Sequence, residues 1–377
     1  MRDCTPRAAD PSVTSVDLRG LLPAELAALA QSMGEPPFRA RQIQAWVLRR
    51  GVRAIEQMTD LSKDCRRRLA EVAHLTNLRL VDARAAAAGE AVKFLFELAD
   101  GSRVESVLIA DGSRRTACLS TQVGCPLGCA FCATARMGFV RHLTAGEIVD
   151  QLLQIGAFAA GRGERVSNAV MMGMGEPLLN YDAVVRALRL MRLELGPGLG
   201  GRRITVSTAG IVPRIRRLAR EQLHVGLAIS LNATLDEQRR RIMPVARRYS
   251  LEELLAAAED FFAQTGRRVT LEYVLLAGVN DSLEDARRLA AIGRRLPCKI
   301  NLIPYNEVSA SAQFRRPAAA WIDAFRQALE RATPVPVTLR ESRGADIDAA
   351  CGQLYQRHAS NGHGPAPSCR PEGGAAG

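Results

Sequence analysis

The 377-residue sequence predicts an α/β protein: a partial (β/α)6-type barrel that follows a small N-terminal helical domain and a β-hairpin extension. Three observations carry that reading. Between residues 114 and 345, strand-like apolar runs alternate with helix-like segments about six times, the pattern of parallel strands joined by right-handed crossovers. Several of those strands run into polar or glycine-bearing turns, where barrels keep their active-site loops, which favours a full or partial barrel over a doubly wound open sheet. Ahead of this block, apolar residues at helical spacing give way to strand-like runs around an Asp100-Gly101 turn.

Residues 1–16 carry charges but no apolar stretch and read as a disordered tail. In 17–76, Leu26, Leu29, Phe38, Ile43, Trp46 and Val47 recur at helical intervals and are expected inside. Arg39, Arg41, Arg49, Arg50 and Arg53 are then expected outside. A helical bundle with a solvated basic face and a nucleic-acid-docking domain of helix-hairpin type both fit this pattern. In 77–113, Leu78 and Leu80 alternate with polar neighbours until Val81 breaks the alternation, and two apolar runs then flank Asp100-Gly101, a hairpin signature. In the barrel block, strands are expected at 116–120, 169–172, 204–207, 227–231, 270–275, 300–303 and 335–339. Helices are expected at 145–155, 181–193, 251–262, 283–294 and 318–332. Residues 359–377, rich in Gly, Pro, Ala and Ser, read as a second disordered tail.

Composition limits the class of protein. Hydrophobic content of 47% and charged content of 24% are those of an ordinary globular protein. No apolar run is long enough to span a membrane, and the first residues lack the apolar core of a secretion signal, so a cytoplasmic protein is expected. Net charge is 51 − 39 = +12, and all but Lys63, Lys93 and Lys299 of the basic residues are arginine. Such a field favours a polyanionic partner such as nucleic acid. Nine cysteines are too few for a disulfide scaffold of this length, so their spacing matters more than their number.

Cys125, Cys129 and Cys132 stand in a C-x3-C-x2-C run, GCPLGCAFC, directly after the first barrel strand. Three thiolates from one compact loop can each hold one iron of a [4Fe–4S] cube and leave the fourth iron open. A structural zinc site would want a fourth close ligand, and His142, ten residues on, belongs to no such pattern. The second strand runs into Met172-Gly173-Met174-Gly175-Glu176-Pro177, where glycine permits close backbone approach and Glu176 offers an acceptor. Together the two motifs resemble the radical S-adenosylmethionine (SAM) superfamily, whose open iron binds the methionine end of SAM.

Reading outwards narrows the match. The runs CLSTQVGC (118–125), GMGEPLLN (173–180), VSTAG (206–210), ISLNA (229–233), IMPV (242–245), INLIPYN (300–306) and RGADIDAACGQL (343–354) are similar, as a set, to the RlmN family of dual-specificity ribosomal and transfer RNA adenine-C2 methyltransferases. The resemblance covers about residues 17–355. It implies that Cys125, Cys129 and Cys132 hold the cluster. It implies that Gly175, Glu176, Ser207, Ser230, Leu231, Asn232 and Asn306 contact SAM. It implies catalytic roles for Cys351, the methylated cysteine of segment 346–358, for Cys118, the second cysteine, and for Glu105, the proton acceptor. Substrates would be 23S rRNA at the peptidyl transferase centre and tRNA at position 37, with two SAM consumed per turnover. The resemblance further implies a monomer served by an electron donor such as flavodoxin, with no membrane.

The implied chemistry suits these residue types. C2 of adenine is electron-poor and will not attack a SAM methyl, whereas the Cys351 thiolate will. The resemblance then has a second SAM cleaved to a radical that activates the S-methyl group. Its carbon adds to C2, a base removes the C2 proton, and Cys118 releases the product through a transient disulfide. The base must leave its stack to be reached. Departures from the family pattern are Asn232 where many members have His, Ala246 where many have Asn, and Ala345 where many have an acid. Residue types alone leave two readings open besides C2 methylation. One is methylation of adenine C8, as in the related resistance enzymes. The other is a non-catalytic iron–sulfur RNA-binding protein, for which Cys118 and Cys351 would be superfluous. Cys4, Cys65, Cys298 and Cys369 match no family position and are expected to be inert.

Overall fold

The structure, a computed structural model, describes residues 15–307, 313–340, 343–350 and 352–354. The expected tail 359–377, most of the tail 1–16, and Cys4, Cys351 and Cys369 lie outside the described residues. Val16, placed in the tail by the sequence reading, pairs with Ala73.

In the N-terminal domain the short strand β1 (Val16–Asp17) pairs in parallel with β2 (Ala73–His74) around α1 (Pro23–Ser32), α2 (Phe38–Gln44) and α3 (Lys63–Val72). α1 opens on Pro23, and the Glu25 carboxylate caps Leu22 N at 2.8 Å. α3 opens on Ser62, whose hydroxyl accepts from Cys65 N. Leu26, Ile43 and Val47 are buried as their spacing predicts. Phe38 is not: it is 54% exposed, because it begins α2 where that helix meets solvent, and the Arg39 guanidinium covers its ring at 5.0 Å. Trp46 is half-buried, stacked by Arg50 at 3.9 Å and donating to Asp60. Arg53 is not a free surface cation either, since it donates to Leu78 O.

Among the described residues, ten strands form one sheet whose neighbours follow chain order. β3 (Arg79–Ala85), β4 (Ala91–Glu97), β5 (Arg103–Asp111) and β6 (Arg114–Cys118) are antiparallel. β7 (Gln122–Gly124) and β8 (Phe139–His142) form a small separate ribbon. Parallel pairing then runs from β6 through β9 (Asn168–Met171), β10 (Ile204–Thr208), β11 (Gly226–Ser230), β12 (Val269–Leu275), β13 (Cys298–Pro304) and β14 (Val337–Leu339). The hairpin extension is therefore the antiparallel wing of the barrel sheet. β3 and β14 stay unjoined, so the barrel is partial. The break at Val81 is a register shift between Leu80 and Asp82.

Six crossovers join the parallel strands. They run through α5 (Ala145–Ala160), α6 (Tyr181–Arg192), α7 (Val212–Arg220), α8 (Asp236–Ile242) with α9 (Leu251–Thr265), α10 (Leu283–Arg295) and α11 (Ala319–Ala332), while α4 (Ala133–Arg136) follows Cys132 directly. Thr144 with Glu147, Ser250 with Glu253 and Ser282 with Asp285 form reciprocal caps that start α5, α9 and α10. On β12, Val269, Leu271, Tyr273 and Leu275 are buried, while the alternate Thr270 and Glu272 line the lumen. Small or polar residues recur on the lumen face: Thr116, Asn168, Thr205, Ala228 and Asn301. Barrel interiors are usually filled by bulky branched side chains; here they leave a cavity of about 850 Å3. No helix among the described residues is long and apolar enough to cross a membrane.

The two domains are locked through Arg19, which is fully buried. Its guanidinium lies 3.3 Å from Asp150 of α5 and donates to Val52 O at 2.8 Å and Asn77 Oδ1 at 2.9 Å. A Cβ on Gly146 would fall 1.9 Å from Asp17 Oδ2, so only glycine lets α5 approach this closely. Removing one partner of a buried ion pair strands the other and costs about 3–5 kcal/mol. Arg19→Met should therefore lower the unfolding free energy by that order and move the urea midpoint down with it, and an unchanged midpoint would contradict the assigned role of Arg19.

Candidate active site

The cysteine loop is set by backbone geometry. Gly124 has φ +73°, and a Cβ there would lie 1.9 Å from Gly138 O. Cys125 N donates to Gly138 O at 2.8 Å, Ala130 N to Ile242 O at 2.9 Å and Cys132 N to Cys129 O at 3.1 Å. Burial pushes the free Cys125 thiol up to about 12 and Cys129 well above its usual range, with the neighbouring thiols adding to both. Three mutually repelling thiolates in a dry loop need a bound cation, so metal loading must expel protons. Among the described residues, no three His, Cys, Asp or Glu side chains gather as a single-ion site. A loose three-thiol set with no fourth ligand suits a cube with one open iron better than zinc.

The C-terminal segment docks on this loop. Ala133 N donates to Gly352 O at 2.8 Å, and Thr134 Oγ1 to Leu354 O at 2.7 Å. The residues just after 351 are thereby fixed against α4, beside the cysteine loop.

Around the loop, the strand ends are stitched by a chain of hydrogen bonds. Gly175, at φ +99°, packs so closely on Gln122 that a Cβ would lie 2.5 Å from its side chain. Gln122 Oε1 accepts from Glu176 N at 2.7 Å. The Glu176 carboxylate is 3% exposed and accepts from Ala209 N at 2.7 Å and Leu178 N at 3.0 Å. The oxygens expected to meet an ammonium group are thus partly engaged in holding β9 to β10. Ala209 O accepts from Arg239 Nη2 at 2.5 Å, and Arg239 also donates to Leu231 O at 3.1 Å and Ser230 O at 3.4 Å. Arg239 is wholly buried, its Nη1 has no hydrogen-bond partner, and burial outweighs the attraction of Cys129 to lower it to about 10.

The remaining candidates fall on the same rim or on the lumen wall. Ser207 is buried near the end of β10, and Leu231 and Asn232 follow β11. Asn232 sits at φ +56° with its amide engaged, Oδ1 accepting from Val274 N at 2.9 Å and Nδ2 lying 3.4 Å from Met243 Sδ. That amide braces β12 against the turn after α8. Ala246 is buried and Ala345 exposed, and the remaining acid, Asp346, accepts from Ala87 N at 2.9 Å.

Cys118 and Asn306 line the 850 Å3 lumen cavity, and so do Ala349, Ala350 and Leu354, on either side of 351. Cys118 pairs with Val107 across β5 and β6, which places Glu105, two residues along, on the same sheet face. Glu105 is 4% exposed, and Lys93 Nζ lies 3.2 Å from its carboxylate and 3.4 Å from Asp348 O. The fold therefore places Cys118 and the flanks of Cys351 on one cavity, with Glu105 on the same sheet face as Cys118. Lys93, Gln122 and Arg239 were not foreseen. For Lys93 a signal existed, since it is one of three lysines among 51 basic residues; Gln122 and Arg239 gave none, because their partners are distant backbone groups. Cys65 and Cys298 are buried away from the site.

The "Radical SAM superfamily" profile matches residues 119–290, and the "Ribosomal RNA large subunit methyltransferase N-terminal domain" profile matches 16–75. The "Dual-specificity RNA methyltransferase RlmN" of Anaeromyxobacter dehalogenans is 48% identical over 346 residues, 90% of this chain and 91% of that one. The "Probable dual-specificity RNA methyltransferase RlmN" of Moorella thermoacetica is 50% identical over 346 residues, 90% of this chain and 97% of that one. This chain belongs to the RlmN family. A crystal structure of a radical SAM methyltransferase from Sphaerobacter thermophilus superposes with TM-score 0.86 at 47% identity, covering 90% of this chain and 99% of that one. The RlmN fold is thus matched from the N-terminal domain through the partial barrel.

Within this RlmN site, Glu176 gives a pH signature. Burial raises its carboxyl from near 4.5 to about 7, so the folded state holds the proton more tightly than the unfolded state. Its contribution to stability is complete below about pH 4.5 and is lost as pH rises through about 7. Glu176→Gln should flatten that part of the pH–stability curve of the metal-free protein. Identical curves for the two proteins would rule Glu176 out as the cause.

Proposed function

We propose that the protein methylates C2 of adenosine in 23S rRNA, at the peptidyl transferase centre, and in tRNA, at position 37, through a methylated cysteine and a transient covalent enzyme–RNA adduct. The observation that carries this reading is the sharing of one lumen cavity by Cys118 and the flanks of Cys351, with Glu105 on the same sheet face. A protein that used its cluster only as a structural element would have no use for that gathering.

Cys125, Cys129 and Cys132 would hold the [4Fe–4S] cluster. Gly175, Glu176, Ser207, Ser230, Leu231, Asn232 and Asn306 would hold SAM, with the Gly175–Glu176 turn and the β11 carbonyl edge offering backbone contacts. Bound together, cluster and SAM supply one-electron cleavage chemistry that no amino-acid side chain provides. The chain's own residues do the rest. Cys351 would accept the methyl group as a thiolate; once the one-electron chemistry has removed a hydrogen atom from that methyl, its carbon would bond to C2, joining enzyme to base, with the surplus electron returned as Glu105 takes the C2 proton. Glu105, held by Lys93, takes the C2 proton. Cys118 then attacks the Cys351 sulfur; the carbon–sulfur bond breaks, and methylated base leaves as a Cys118–Cys351 disulfide forms. The base would have to be flipped from its stack to reach these residues. An electron donor of the flavodoxin kind, a monomeric state and a cytoplasmic location complete this reading.

The test separates the two cysteines. Cys351→Ala should give neither methylated product nor cross-linked RNA. Cys118→Ala should still attach to RNA and then stall, leaving a band that survives denaturation and collapses to a small mass adduct on nuclease digestion. Digested product from the native enzyme should contain 2-methyladenosine; 8-methyladenosine would overturn the assignment to C2. Two variants that are both inactive and both free of RNA would remove the cysteines' distinct roles.

A further inference from the structure

The end of the barrel opposite the cysteine loop carries a second concave site. There α6 ends at Arg192, the 201–203 turn leads into β10, His224 precedes β11, Arg267 and Arg268 link α9 to β12, and Lys299 stands near the start of β13. These elements enclose about 730 Å3, lined by Arg192, Arg202, His224, Arg267, Arg268 and Lys299. Gly201 makes the arrangement possible, because a Cβ there would fall 2.4 Å from Leu223 O and would push Arg202 away from His224.

The charge at this mouth is uncompensated. Among the described residues, none of these five cations forms an ion pair, and the site has no carboxylate in its wall. Other cations at the same end of the barrel are neutralised: Arg115 by Glu164 at 2.6 Å, and Arg295 by Glu252 at 2.6 Å and Glu259 at 3.2 Å. Arg267 is lowered by burial and then by repulsion from Arg202, and its Nε is buried without a hydrogen-bond partner. The negative ends of helix dipoles account for Arg192, in the last turn of α6, and in part for the pair after α9. They do not account for Arg202 and Lys299, which stand at strand starts. Like charges gathered at a cost to the folded state call for an anion.

The wall also says which kind. Pockets for small ligands are mostly apolar with a few placed polar groups. This one has no aliphatic residue in its wall, and its only ring is His224. Its side chains offer chiefly cationic hydrogen-bond donors, which suit phosphate oxygens. Lys299 lines both this mouth and the lumen, so the site lies on the far side of the cavity from the cysteine loop.

We propose that the N-terminal mouth of the barrel is a second RNA-contact site, which takes successive backbone phosphates of the substrate away from the reacting adenine. This rests on the reading that the substrate is RNA. Such contacts are independent of sequence and release counterions, so each adds about 0.9 to the salt slope on duplex and about 0.7 on single strands.

The test compares the native holoenzyme with the triple variant Arg202→Gln, Arg267→Gln, Arg268→Gln on unmodified tRNA and an rRNA fragment, between about 50 and 200 mM salt. The variant should bind both RNAs about tenfold more weakly at the low-salt end, with a slope smaller by about 2 to 3. Its SAM cleavage in the absence of RNA should be unchanged, which verifies that fold and cluster are intact. Equal affinity and slope in the two proteins would overturn the proposal. Unchanged RNA binding with loss of pyrophosphate binding would reassign the mouth to a free phosphate compound and would also overturn it. A native enzyme that neither binds nor methylates RNA would instead sink the assignment of function, so the two failures are distinguishable.

Discussion

The site depends on one buried carboxylate. Glu176 is removed from water yet accepts two backbone N–H groups, one from its own turn and one from Ala209 beyond β10. Through Gln122 it reaches back to the start of the cysteine loop, and through Ala209 and Arg239 forward to the ends of β10 and β11. Strand ends in a parallel barrel have no ladder beyond them, and loops alone would let them splay. A carboxylate and a guanidinium bonded to backbone instead fix four loops relative to one another. Burial disfavours both charges, since Glu176 is raised and Arg239 lowered, so the site holds electrostatic strain for the sake of geometry.

The lumen follows from a second constraint. In a parallel sheet flanked by helices, the outward residues must be apolar, and they are. The inward residues are free of that demand only if the interior is not to be filled. Thr116, Asn168, Thr205, Ala228, Thr270 and Asn301 are too small to fill it, and the antiparallel wing carries Glu105 and Lys93 to its edge. The same wing receives the returning C-terminal segment, through Lys93 to Asp348 O and Ala87 N to Asp346. Gly352 and Leu354, more than 200 positions from the cysteine loop, accept hydrogen bonds from Ala133 and Thr134 just after it.

Asn232 illustrates how a departure from the family pattern is absorbed. Its left-handed backbone conformation is one that asparagine tolerates better than most residues, and its amide ties β12 to Met243. The substitution is thus accommodated by the scaffold.

The sequence by itself determined the order of elements, the partial barrel, the three-cysteine loop and the family, because those are written in short-range patterns: periodicity, turn residues and spacing within a few positions. It located the break at Val81, where the register shifts, and of the candidate residues Cys118 and Asn306 line the lumen. It misjudged Phe38 and did not foresee the partner of the Asn232 amide, since exposure at a helix start and a bond to a distant backbone N–H are not local properties. Only the tertiary structure decided that Glu176 serves as a tie, that Arg239 and Lys93 belong to the site, that Arg19 locks the domains, and that five cations from four separate segments meet at one mouth. Each of those is a contact between segments far apart in the chain. The cost or gain of burying a charge is set by what the fold places around it, and residue type alone does not carry that information.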